Sequence, residues 1–178
     1  MRYTLFETAI GRCALAWSER GITRMRLPGA TEAETEASVA RYGARASTSE
    51  PAFVAEAITA LDAYFLGTDV DLGAVPLDAD GVPAFHAAVY RALREVPRGG
   101  TVTYGALAEQ VGQPGAARAV GVAMGRNPWP VIVPCHRVLA SGGKMGGFSA
   151  PGGTSTKERL LALEGVRVGD PVLPGLFD

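Results

Sequence analysis

The stretch Val133-Pro134-Cys135-His136-Arg137-Val138 sets a thiol directly beside an imidazole, two side chains from which nucleophilic sulfur chemistry is commonly built. A free cysteine has a pKa of roughly 8.5, so a base or a positive charge must assist before much thiolate exists at neutral pH. In an extended chain, neighbouring side chains point to opposite faces, so His136 reaches the Cys135 sulfur only through a sharp turn or a bridging water. The bland alternative is an inert buried cysteine. Val131, Ile132 and Val133 predict a short buried strand, and Pro134 keeps its last residue extended, so Cys135 stands where the chain must turn. The glycine-rich run over 141–153 then suits either a close-approach loop at a substrate pocket or a plain surface loop.

The elements that must position this thiol fall into two groups. Residues 2–27 alternate loosely between apolar and polar, with turn chemistry at 9–11 and 19–21, which predicts a small antiparallel sheet. Residues 31–44 read as a helix with Thr31 as N-cap and Gly43 as stop. A second helix over 51–67 puts Phe53, Ala57, Ile58, Leu61, Phe65 and Leu66 on one apolar stripe. Gly, Pro and Asp crowd the stretch 67–82, where we place a linker, although Val75-Pro76-Leu77 could pair as a strand.

Beyond the linker, Phe85, Val89 and Leu93 carry helical spacing, and His86 lacks a second ligand at i+3 or i+4, which favours a capping or surface role. Two short helices, about Tyr104–Val111 and Ala116–Gly125, flank a turn holding Gly112, Pro114 and Gly115: a helix-turn-helix signature. The expected fold is α/β of the α+β kind. An N-terminal sheet with helices spans 1–80, a mainly helical, winged-helix-like domain with the cysteine spans 83–168, and 169–178 form an extended tail.

Charge divides the same way. Residues 1–82 carry seven Arg and Lys against twelve Asp and Glu, whereas 83–168 carry ten against four. A basic half of about +6 beside an acidic half of about −5 suits contact with a polyanion, or simply a solvated basic face. The second helix of the pair is slender: Ala116, Ala117, Ala119, Gly121, Ala123 and Gly125 surround Arg118. Small side chains allow either tight helix packing or entry into a nucleic-acid groove, and the basic charge favours the groove.

Other classes are disfavoured. No apolar run approaches the ~20 residues of a membrane span, and the N-terminal segment lacks the apolar core of a secretion signal. Cys13 and Cys135 lie far apart, which argues against a disulfide framework and against a cysteine-rich zinc site. Reduced thiols in a bacterial-type cytoplasm are the expectation.

The block Asn127-Pro128-Trp129-Pro130-Val131-Ile132-Val133-Pro134-Cys135-His136-Arg137-Val138, with 116–124 before it and 146–149 and 157–165 after it, resembles the O6-alkylguanine-DNA alkyltransferases. The likeness is strong from about Pro83 to Val166 and only architectural over 1–80. It implies direct-reversal DNA repair in which Cys135 accepts the alkyl group once, after the damaged base is flipped from the duplex. It further implies His136 as a base acting through a water, Glu164 as its orienting carboxylate and Asn127 as a brace for the turn. Tyr104 would contact the guanine N3 side, and Arg118 would fill the vacated stack. Ala117, Ala119, Gly121 and Arg126 would complete the DNA-facing helix. Met124, Trp129, Val138, Phe148 and Ser149 would line the base pocket, with Lys157 assisting at O6. Phe148 replaces a tyrosine common in the family, and the run from Ser149 to Lys157 is longer than usual.

The implied partner is double-stranded DNA containing O6-alkylguanine, bound by a monomer without metal or cofactor. Rival readings are a lesion sensor that does not transfer the alkyl group and a thiol hydrolase acting off DNA. The Leu176-Phe177 ending resembles peptides that dock on sliding clamps.

Overall fold

The computed structural model describes residues 1–168; the tail, and with it the clamp-docking expectation, lies outside the described residues. Strands β1 (Arg2–Phe6), β2 (Cys13–Ser18) and β3 (Gly21–Arg26) pair antiparallel in sequence. Helix α1 (Glu32–Ala40) follows, and the Thr31 hydroxyl accepts from the Glu34 amide at 3.2 Å, as its cap role predicts. The sheet differs from the expectation in one respect. A two-residue strand β4 (Arg45–Ala46) returns from α1 to pair parallel with β1, giving the order β3-β2-β1-β4 and a mixed sheet. Two residues carry no periodicity, so this strand leaves no trace in the sequence pattern.

Helix α2 (Ala52–Phe65) packs on the sheet with a rotated face. Val54, Ala57, Leu61, Tyr64 and Phe65 are buried, Phe53 and Ile58 are half-buried, and Leu66 is 68% exposed. Leu66 was expected in the core, but the helix ends one residue before it. The stretch after α2 touches β3 through one bridge, Ile22 with Leu77, with Ile22 N donating to Pro76 O at 2.8 Å.

Helices α3 (Ala84–Arg94), α4 (Tyr104–Gln110), α5 (Ala117–Gly125) and α6 (Gly153–Leu163) build the C-terminal half. Short strands β5 (Val102–Thr103) and β6 (Val138–Leu139) pair in parallel beside α4. One apolar cluster runs through both halves, from Leu15, Met25 and Leu61 to Val89, Leu107, Val120 and Ile132. A smaller one, with Tyr3, Ala16 and Val39, fills the other side of the sheet under α1. No helix among the described residues is long and apolar enough to cross a membrane.

Candidate active site

Val131–Val133 form a turn rather than the predicted strand. Val131 has φ of 76°, the only non-glycine residue described with positive φ, and for a β-branched side chain this is strained backbone. Asn127 holds the turn closed: its Nδ2 donates to Val133 O at 2.8 Å, and its Oδ1 accepts from Trp129 N at 2.9 Å. Pro134 then adopts φ −79° and ψ 65°, with Cys135 N donating to Val133 O at 2.8 Å, an inverse γ-turn. Cys135 opens a 3-10 turn over Cys135–Arg137. The chain therefore reverses tightly at the thiol, which an apolar triplet before a proline did not reveal. Asn127→Ala removes both braces and leaves the strained turn unsupported. It should lower unfolding free energy by about 2 kcal/mol in denaturant melts.

Cys135 lies at the floor of a cleft of about 650 Å³ that Met124, Arg126, Asn127, Pro130, Phe148 and Ser149 also line. Burial raises its pKa, against the opposing pull of the Asn127 side chain and the Lys157 charge. The resting group at neutral pH is thus the thiol, and reaction needs a base. His136 is fully buried beside it. Its Nε2 lies 2.8 Å from Glu164 Oε1, while its Nδ1 has no protein partner. Because Nε2 faces a carboxylate, the proton of the neutral ring sits there and Nδ1 is left as an acceptor.

Glu164, at the C-terminus of α6, is the hub. Arg137 donates Nε to Oε2 and Nη2 to Oε1, both at 2.9 Å, and Tyr64 of α2 donates to Oε1 at 2.6 Å. Burial opposes its charge, yet these bonds, with that from His136, hold its carboxyl well below the usual range. Burial also lowers the His136 pKa in spite of Glu164. The permanent cation of Arg137 balances the carboxylate, so the ring rests neutral.

Tyr64 and Arg137 were not singled out by the sequence reading. Tyr64 stands three residues after Leu61 on the apolar stripe, a hydroxyl placed where only hydrocarbon was expected. Arg137 sits inside the motif, where no neighbour in sequence names Glu164 as its partner.

On α5, Arg118, Ala119, Val122, Gly125 and Arg126 are exposed, while Val120, Ala123 and Met124 face the core. The outward face is thus small-residued, except for Val122, and carries an arginine at each end. Ala117 and Gly121 are half-buried at its margin. Tyr104 is half-buried, and a Cβ on Gly146 would stand 3.1 Å from its ring, so the 141–153 loop closes on it.

Trp129 and Val138 do not line the cleft. Trp129 is buried with its indole N–H donating to Ile22 O at 2.8 Å and its ring edge-on to Tyr90. The turn at Val131 swings it toward β3. Val138 is buried in β6, paired with Val102. Lys157 is likewise buried away from the cleft lining, its Nζ donating to Val138 O at 2.5 Å, which ties α6 to β6. Among the described residues, no group of three metal-ligating side chains converges.

A buried thiol backed by a histidine–carboxylate pair, set beside the exposed helix of a helix-turn-helix, defines a cysteine-chemistry protein built around a nucleic-acid-binding unit. Comparison with known proteins narrows the class. The family description "6-O-methylguanine DNA methyltransferase, DNA binding domain" matches residues 84–166, and its "ribonuclease-like domain" matches 1–79. The methylated-DNA--protein-cysteine methyltransferase of Mycolicibacterium paratuberculosis is 40% identical over 100% of this chain and 99% of its own. That of Methanosarcina acetivorans is 39% identical over 93% and 99%. A solved structure of Mycobacterium tuberculosis OGT in complex with DNA superposes with a TM-score of 0.74 at 36% identity, covering 92% of each chain. The chain belongs to the 6-O-methylguanine DNA methyltransferase family.

Proposed function

We propose that this protein repairs DNA by direct reversal, moving a methyl group from O6 of guanine in duplex DNA to the Cys135 sulfur, once per molecule. The observation that carries the reading is the thiol on the cleft floor with the hydrogen-bonded His136–Glu164 pair behind it. The names of the family relatives supply the substrate.

The damaged base must leave the stack, because its O6 substituent is hidden in the duplex. Helix α5 would lie in the minor groove, where Ala117, Ala119 and Gly121 allow close approach, Arg118 fills the vacated place and Arg126 adds charge. Met124, Phe148 and the Ser149 amide would hold the flipped guanine, whose exocyclic amine would donate to the carbonyl of Cys135; the Val138 carbonyl, taken by Lys157, holds β6 in place instead. The thiol proton passes through a water to His136 Nδ1, and Glu164 stabilises the resulting imidazolium. The thiolate attacks the methyl carbon; the S–C bond forms as the C–O6 bond breaks, and the electron pair stays with guanine. Tyr104 supplies a proton on the N3 side. Lys157 acts through its bond to β6, holding the loop that carries the pocket.

The product is a thioether, which has no easy hydrolytic exit, so the protein is consumed. Residues 83–168 bind DNA and hold the thiol, while 1–80 support them and contribute Tyr64. A single chain contains each group used here, in keeping with action as a monomer, and a free thiol suits a reducing bacterial-type cytoplasm. A lesion sensor has no need of Cys135 and its base, and a hydrolase has no need of the Arg118 helix.

The test is stoichiometry. Protein incubated with duplex containing O6-methylguanine should gain one methyl group, mapped by mass spectrometry to the peptide bearing Cys135, and repaired guanine should never exceed protein. Turnover beyond one equivalent, or repair with unchanged protein mass, would refute the reading.

A further inference from the structure

Helix α1 and strand β3 bring three arginines onto one aromatic ring. The guanidinium carbons of Arg24, Arg41 and Arg26 lie 3.4, 4.9 and 5.2 Å from the centroid of Tyr42. All four residues line the same cleft as Cys135, as does Arg126 at the end of α5. Arg24 and Arg26 are half-buried, on the strand edge that meets the active-site turn, where Met25 N donates to Pro128 O at 2.8 Å.

Three like charges around one ring repel, and stacking on the ring offsets this only in part. Two other arginines of this acidic half do have carboxylate partners: Arg12 pairs with Glu7 and Glu32, and Arg20 with Asp78 and Asp80, while Arg2 and Arg45 form no such pair among the described residues. Among the described residues, no carboxylate comes within salt-bridge distance of Arg24, Arg26 or Arg41. Glu34, which also lines the cleft, spends its Oε2 on the Ala30 amide. Arg26 Nε donates to Ser38 O and Arg41 Nη2 to the Tyr42 hydroxyl, which leaves most of the guanidinium donors of the three free to face an anion.

We propose that Arg24, Arg26 and Arg41, braced on Tyr42, form a phosphate-binding site through which the N-terminal half grips the backbone of the DNA strand whose base enters the Cys135 cleft. This rests on the reading of the protein as DNA-binding. The planar fork of arginine matches a phosphodiester, and the cleft places the cluster beside the pocket mouth rather than on a remote surface. The N-terminal half, acidic overall, thus turns its concentrated positive charge toward the site.

The test uses the full chain and two double variants, Arg24→Gln/Arg41→Gln and Arg24→Lys/Arg41→Lys, which spare the more buried Arg26. Affinity for duplex containing O6-methylguanine is measured against salt. Each phosphate contact contributes about 0.9 to the slope of log affinity on log salt. The Gln pair should therefore lower the slope by about one to two and weaken binding roughly tenfold, while the Lys pair keeps the wild-type slope. A wild-type slope in the Gln pair, or equal loss in both pairs, overturns the proposal. Inorganic phosphate, followed by 31P line width, separates the sources: cluster-dependent binding of free phosphate with an unchanged DNA slope marks a free-anion site and also overturns it. Wild-type protein that binds no duplex at all would instead remove the DNA reading itself.

Discussion

A Cys135→Ser protein is expected to bind duplex containing O6-methylguanine with wild-type affinity and never to gain a methyl group. The substitution is nearly isosteric and leaves the Asn127 brace, the γ-turn at Pro134 and the α5 face in place. It exchanges a thiol for a hydroxyl, whose far higher pKa places its anion out of reach of an imidazole base. The second cysteine cannot substitute. Cys13 is fully buried in β2, 3.8 Å from the Thr8 hydroxyl, and burial pushes its pKa to about 12. Intact mass after prolonged incubation is the readout. A methylated Cys135→Ser protein would mean that the acceptor is elsewhere, whereas loss of DNA binding would mean that the sulfur is structural.

Glu164→Gln should be the most destabilising conservative change in the molecule. The amide keeps the shape but removes the charge that balances Arg137, whose side chain is only 11% exposed. Breaking one side of a buried ion pair costs about 3–5 kcal/mol. The pH dependence should change with it. The carboxyl of Glu164 is depressed in the folded state, so its stabilisation is complete above its ordinary value of 4.5 and is lost as pH falls further. His136, lowered by burial, excludes a proton in the fold that the unfolded chain takes up below about pH 6.5, so stability falls on that side too. Wild-type stability should therefore decline in two acid stages, and Glu164→Gln should lose the lower one. Equal unfolding free energies at pH 7, or an unaltered acid slope between pH 5 and 3, would show that Arg137 finds another anion.

Local chemistry was the legible part. Thr31 caps α1 because a hydroxyl before an Ala- and Glu-rich run has one cheap use, and the α4–α5 pair followed from helices flanking glycines. Cys135 beside His136 is legible by residue type, whereas Glu164 is reached only through the family resemblance, because nothing in its own segment ties it to a histidine 28 residues away. What stayed hidden depends on distance in the chain. Tyr64 reaches Glu164 across 100 residues, and Trp129 reaches Ile22 across 107. No periodicity within one segment encodes such a partner. Val131 was misread for another reason: three β-branched residues vote for a strand, and only the Asn127 side chain, acting from outside the segment, overrules them. The arginine cluster escaped because net charge was summed over the acidic half, which conceals how three of its seven cations gather on one ring.

Strand β3 is the edge of its sheet, yet it is not open. Ile22 exchanges hydrogen bonds with Pro76 and Asp78, its carbonyl also accepts the Trp129 indole, and the Met25 amide is taken by Pro128. The linker at Pro76 and Asp78 and the second half of the chain at Pro128 and Trp129 together block the row of backbone groups along which sheets of separate molecules would otherwise join. A free N-terminal half would keep the linker on Ile22 but lose the Pro128 and Trp129 contacts, opening the edge at Met25, which is fully buried in the whole chain. The turn that presents the thiol thus also serves as a guard against aggregation, and a lesion that loosened it would threaten solubility along with repair.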